Sequence, residues 1–213
     1  MSGNFLTPEK YLSPQEVSRF RRSLQVEQEY GFAHKSKTPI RDAAVLSTIL
    51  GAGLRVSEAT HLKVGNLFLE QDKSELLIER SKFGKSRIVQ IGKDVRRNLR
   101  NYLKWKSQNG ESLEDNSHLF ISRKKTPYTT RAIQLRFQVY KEKAGIKKNC
   151  GIHALRHTFA LLLYRASGYN LRLVQKQLGH ASILTTQVYA DVLDCDTELA
   201  VEKMFDIVDM VEV

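Results

Sequence analysis

The stretch GIHALRHTFA, residues 151–160, places two imidazoles and a guanidinium (His153, Arg156 and His157) in what otherwise reads as an apolar helix. A helix beside a core excludes unpaired charge, so these groups need partners or a chemical task. His153 and Arg156 stand at i,i+3 and share a face, and His157, four residues after His153, lies close to it. Histidines at i,i+4 also suit zinc. The metalloprotease pattern, however, requires Glu directly after the first His, where this chain has Ala154. No cysteine or carboxylate partner stands nearby, so no metal is expected. Taken singly, His157 reads as a satisfied structural histidine.

Working outward, GAGLRVSEATHL (51–62) bends at Gly51 and Gly53 and resumes as a short helix from Val56. Arg55 and Glu58 are spaced to meet on one face. They read either as a partly buried pair that fixes a turn, or as a guanidinium aimed at a phosphate and steadied by Glu58. Arginine suits the second task because its planar fork holds two oxygens at once. Downstream, LGHASILTTQVYA (178–190) carries His180 after a helix that stops at Gly179, and Tyr189 in the next helix, expected over 183–190. A tyrosine there is ordinarily core or interface with its hydroxyl bonded. Together the residues make a chemistry. Two arginines and two histidines can surround one phosphate and stabilise pentavalent phosphorus. A tyrosine hydroxyl can attack it and conserve the bond as a phosphotyrosyl ester. The turn in SKFGKSRIVQI (81–91) offers Lys82 and Lys85 to protonate a leaving oxygen.

Charge narrows the partner. The 213 residues carry a formal net charge of +11, unevenly spread. Residues 80–148 hold 19 Lys/Arg against 5 Asp/Glu, whereas residues 189–213 hold 1 Lys against 8 Asp/Glu. A basic body with this excess implies a polyanion, because each phosphate neutralised releases counterions. The basic residues are not gathered on one amphipathic helix, so a membrane surface is not the expected partner. No apolar run is long enough to span a bilayer, and MSGNFLTPEK lacks the apolar region of a secretory signal. Cys150 and Cys195 fit neither a disulfide framework nor a zinc knuckle, so a reduced, cytoplasmic setting is expected.

Secondary-structure signals give a mainly α chain with a small antiparallel β-sheet, an α+β class. Ser13, Pro14 and Glu16 form a capping box opening a helix expected to stop at Gly31. A second helix begins after Thr38 and turns Ile40, Ala44, Leu46, Ile49 and Leu50 inward. NLFLE, ELLIER and SRIVQIG are short, β-favouring and separated by turn residues. Further helices are expected over 94–108, 130–144, 153–167, 171–178 (Asn170 as cap) and 197–210.

The four motifs, in this order and spacing across about residues 12–192, resemble the catalytic domain of the tyrosine recombinases, the phage-type integrases. The resemblance implies that fold, with Arg55, Arg156 and His180 on the non-bridging phosphate oxygens. It further implies Lys82 as general acid, His153 assisting proton transfer or positioning, and Tyr189 as nucleophile. Glu58 and His157 would support them. The implied activity is site-specific strand exchange on double-stranded DNA through a 3′-phosphotyrosyl link and a Holliday junction, without metal, ATP or other cofactor. A non-catalytic DNA-binding protein on the same fold and a type IB topoisomerase are the alternatives. The implied assembly is a homotetramer on DNA and a monomer free of it, with an accessory DNA-bending protein as a further partner.

The family's N-terminal core-binding domain is expected to be absent, since the first catalytic-type helix begins by Ser13. Residues 193–213 are expected to form a tail helix with an apolar stripe through Leu199, Met204 or Phe205, Ile207, Val208 and Val211. That stripe packs either on its own domain or on a neighbouring protomer. Groove and backbone contacts are assigned to SRKKTPYTTRAIQLR (122–136), chiefly Arg123, Lys124, Lys125 and Arg131, together with Lys85 and Arg87.

Overall fold

A computed structural model describes residues 6–70, 73–79, 86–180, 182 and 184–190. Helix α2 (Lys37–Ala52) is the centre of the domain. Twelve of its sixteen residues are buried, Arg41, Asp42 and Thr48 among them, so the helix is enclosed on most sides. Around it lie α1 (Pro14–Ala33), α4 (Lys93–Gln108), α5 (Thr130–Lys143) and α6 (His153–Ala166). α1 contributes Phe20 and Leu24, and Phe20 meets Phe137 of α5 with ring centroids 5.7 Å apart. α4 turns Val95, Leu99, Tyr102 and Trp105 inward at helical spacing. Its outer face is basic, with Arg97, Arg100 and Lys104 exposed. Short α3 (Val56–His61) leads into the sheet, and α7 (Leu171–Leu178) and α8 (Leu184–Gln187) follow α6.

The sheet is a three-stranded antiparallel meander of β1 (Leu67–Phe68), β2 (Glu75–Ile78) and β3 (Arg87–Gln90). Leu76 pairs with Val89, and both are fully buried, so one face joins the core. That register points Arg87 and Val89 to one side and Ile88 and Gln90 to the other. The mainly helical α+β architecture expected from the periodicity is the one observed. Among the described residues no helix is long and apolar enough to cross a membrane.

Local signals explain most boundaries. Ser13 accepts from the Glu16 amide, and the Glu16 carboxylate accepts from the Ser13 amide at 2.7 Å, closing the capping box. Asn170 caps α7, and Gly179 ends it at φ +66°. Gly31 does not stop α1, contrary to expectation. A Cβ there would lie 2.8 Å from Ile40 Cγ1, so this glycine permits α1 to approach α2. The helix instead ends two residues later. Lys35 takes the left-handed conformation, and the Ser36 amide returns to the Gly31 carbonyl at 2.9 Å, a Schellman closure with lysine where glycine is usual. α8 is shorter than the expected 183–190, and Tyr189 follows it in a turn, its amide on the Thr186 carbonyl at 3.0 Å. The tail helix expected over 197–210 lies outside the described residues.

Tyr189 belongs to a second, smaller apolar cluster. It packs there with Leu6, Ala160, Leu161, Val174 and Leu178. The N-terminal segment is stapled over this cluster. Lys148 Nζ donates to the carbonyls of Pro8 and Tyr11 and pairs with Glu16 at 2.7 Å, while the Leu12 amide donates to Thr158 Oγ1.

Candidate active site

Two helix ends aim the site. α2 terminates at Gly53 in the left-handed region, where any Cβ would strike the Phe159 ring at 2.3 Å. α7 terminates at Gly179, likewise left-handed, where a Cβ would lie 2.5 Å from Arg87 Cδ. Both ends expose carbonyls that no further helical turn satisfies. Arg156 bridges them, donating to the Gly53 carbonyl at 2.6 Å and the Leu178 carbonyl at 2.8 Å. The buried guanidinium is thus fixed by backbone and by two helix C-termini that favour positive charge. Burial, reinforced by nearby Arg55, lowers its pKa to about 10, which leaves it fully cationic near neutrality.

Glu58 is the hub. It sits on α3 with little exposure and receives three arginines. Arg55 gives it both its backbone amide (2.8 Å) and its guanidinium (2.9 Å). Arg87 reaches across from β3 with two parallel bonds of 2.7 and 3.0 Å, the bidentate geometry that favours arginine over lysine. Arg156 approaches at 3.7 Å. Burial pushes the Glu58 carboxyl up, but the Arg87 bonds and charge, the Arg55 amide and the Arg156 charge outweigh it and hold the group ionised. One carboxylate facing three guanidinium groups leaves a surplus of positive charge, with Arg55 the arginine most open to solvent.

Beside this cluster lies a cleft of about 600 Å³ lined by Arg55, His153, Arg156, His157, His180 and Tyr189, with Leu6 and Lys10 on its N-terminal wall. His180 Nδ1 lies 2.9 Å from the buried hydroxyl of Thr186, and its ring stacks on Tyr189 at 6.5 Å. His157 Nδ1 lies 3.0 Å from Tyr189 Oη. Burial, and then neighbouring charges, lower the pKa of His157 and of His180 to about 4, so both rings are neutral near pH 7. His153 is lowered by the same causes and is exposed at the start of α6. Burial raises the Tyr189 phenol while Arg156 and Arg55 partly oppose the shift.

Among the described residues, Arg55, Glu58, His153, Arg156, His157, His180 and Tyr189 meet in one place, drawn from four segments of the chain. Lys82 and Lys85 lie outside the described residues. Arg87 is turned inward on Glu58 and the Gln177 carbonyl rather than outward. Arg123, Lys124, Lys125 and Arg131 are exposed, the first three on a tight turn closed by the Ile121–Pro127 bridge. Arg136, in the same basic segment, is instead held by Asp42. Sequence reasoning did not mark Thr186, Lys10 or Leu6. Thr186 is one of two adjacent threonines that only packing distinguishes, and Leu6 and Lys10 reach the cleft through a fold-back that no local pattern announces.

Comparison with known proteins agrees with this geometry. The tyrosine recombinase XerA of Pyrococcus horikoshii is 33% identical over 167 residues, 77% of this chain and 55% of that protein. XerH of Campylobacter jejuni is 34% identical over 181 residues, 84% of this chain and 48% of that protein. The chain thus spans about half the length of the curated relatives it matches. Among solved structures, XerA recombinase superposes with a TM-score of 0.71 at 31% identity, covering 89% of this chain and 65% of that one. XerH bound to palindromic difH substrate, a post-cleavage complex, gives 0.74 at 26% identity over 94% of this chain and 54% of that one. With residues 19–195, and so every described group of the cleft except Leu6 and Lys10, inside the matching family model, the chain belongs to the phage integrase family.

Proposed function

We propose that the domain cleaves and rejoins double-stranded DNA as a site-specific recombinase, through a 3′-phosphotyrosyl intermediate at Tyr189. The observation that carries the reading is the cationic surplus around Glu58, which opens onto the same cleft as Tyr189, His153 and His180. A scissile phosphate there meets Arg55 and Arg156 on its non-bridging oxygens, fixed before the anion arrives. Fixed cations stabilise the extra charge of the transition state without reorganising. With Thr186 donating to Nδ1 of His180, the opposite ring nitrogen carries a proton for the same phosphate. Lys82 serves as acid for the departing 5′-oxygen. A 5′-hydroxyl from a second duplex then displaces the tyrosine, and two such rounds exchange strands through a Holliday junction. The number of phosphodiester bonds is conserved, so ATP and metal are not required.

Strand exchange needs four such sites, and a tetramer on DNA assembled from monomers is part of the proposal, as is an accessory DNA-bending protein. The acidic residues 193–213 are proposed to couple neighbouring protomers, in a cytoplasmic setting. Arg123, Lys124, Lys125 and Arg131 are assigned to DNA contact, their exposure and common charge supporting that role. The test is capture of nicked duplexes from a randomised pool, whose cut end diffuses away and traps the covalent adduct on a denaturing gel. Wild-type protein should recover a subset of sequences, and Tyr189→Phe should yield no adduct while still binding the recovered duplex. An adduct that persists in Tyr189→Phe overturns the assignment.

A further inference from the structure

The mechanism above leaves one proton without a destination. Tyr189 must lose the hydrogen of its hydroxyl as it attacks, and the arginines cannot accept it. We propose that His157 is the base: Tyr189 Oη–H donates to His157 Nδ1, and the proton passes to that nitrogen as the Oη–phosphorus bond forms. This rests on Tyr189 being the nucleophile.

Three observations support the assignment. The Nδ1–Oη separation is 3.0 Å, within reach for direct transfer. His157 lies one helical turn beyond His153, so its ring approaches Tyr189 from the wall of the cleft, while exposed His153 is free for the phosphate. The groups facing His157 are His153 and Arg156 on its own helix, Lys10 from the N-terminal segment, His180 before α8, and Tyr189. Apart from Tyr189 they are cationic or neutral, so the ring waits neutral, and with its one proton on Nε2 the Nδ1 lone pair is left to accept. Burial of the phenol makes such help necessary, because it disfavours the free tyrosinate.

The step balances. The Tyr189 O–H bond breaks and an N–H bond forms on His157. The Oη–phosphorus bond forms as the bond from phosphorus to the 5′-oxygen breaks, and that oxygen takes a separate proton from the acid. Rejoining runs the sequence backwards, with His157 returning its proton to Oη.

The experiment measures single-turnover adduct formation against pH on a nicked duplex recovered from the randomised pool, for wild type, His157→Asn and His157→Phe. Asparagine can still place a hydrogen-bonding atom near Nδ1 but cannot take the proton. Wild type should be nearly flat across neutral pH. His157→Asn should be slower by about 100-fold at neutral pH and recover about tenfold per pH unit as hydroxide replaces the base. A loss equal at every pH, or a rate within about threefold of wild type, overturns the proposal. A second measurement needs no DNA and no His157 variant. Long-range proton–nitrogen spectra of the whole protein should show His157 protonated on Nε2, with an Nδ1 resonance that moves in Tyr189→Phe. An unmoved resonance also overturns it. If wild type captures no duplex, recombination is the reading that fails, and the spectra still decide whether the phenol donates to His157.

Discussion

Two ionic networks lie towards opposite ends of α2, a helix about 24 Å long. Near its start, Arg41 and Lys106 share Glu111, and Asp42 receives Tyr128 and Arg136. Arg41, Lys106 and Glu111 are each 4% exposed or less at the side chain. Past its end, Arg55, Arg87 and Arg156 share Glu58, and Arg55 keeps 34% of its side chain exposed. The first network sets three cations on two carboxylates, and aromatic rings face the extra charge: Arg41 lies 5.6 Å from the Trp105 ring centroid and Lys106 5.9 Å from that of Tyr102. The second is over-supplied with cations and opens on a cleft. Burying charge stabilises little unless it is compensated. The more cationic end, three arginines on one carboxylate and open to a cleft, is the one suited to an anion, whereas the buried end joins helices.

The sharpest way to break that contrast is Glu58→Gln. Three arginines lose their common partner, and stability should fall by about 3–5 kcal/mol, read from the denaturant midpoint. Adduct formation should fall even for the fraction that remains folded, because Arg55 and Arg87 lose their alignment. Glu111→Gln should destabilise by a comparable amount, about 3 kcal/mol, yet leave adduct formation per folded molecule unchanged. If it slows cleavage instead, the two networks are not separate.

Gly179→Ala should cost about 1–2 kcal/mol, since it forces a Cβ into the left-handed region and against Arg87. Its thermal midpoint should drop, and weaker adduct formation would trace to the displaced arginine. Acid gives a smaller, signed effect. His157 and His180 protonate at about 4 when folded, against about 6.5 when unfolded. The unfolded chain takes up protons first, so stability should decline as pH falls from about 6.5 to about 4. His180→Asn should flatten that decline in thermal melts. The least effect is expected at the exposed turn, where Lys124→Ala should lower the salt dependence of DNA binding by about one unit of slope and leave stability unchanged.

Much of this was readable along the chain. The capping box at Ser13, the stop at Gly179 and the alternation in β2 and β3 are local rules acting on neighbouring residues. Arg55 with Glu58, and His153 with Arg156, were visible because i,i+3 spacing makes helical neighbours. Gly31 misled because a glycine required by a neighbouring helix looks the same in sequence as one that ends its own. Arg87 read as an outward cation because a strand's alternation says which residues share a face but not what the opposite wall presents. Its partner Glu58 lies 29 residues away on another element. The buried network had no signature either, since Arg41, Lys106 and Glu111 are ordinary surface types until tertiary packing buries them.

Sequence by itself settled the residue types and the helical phase of each motif, and with them the family and the chemistry on offer. Tertiary structure alone decided which charges are buried together and which open on a cleft, and that His157 rather than His153 touches the phenol. The reason is physical: periodicity acts over one or two turns, whereas charge compensation depends on through-space distances between segments that the chain order does not encode.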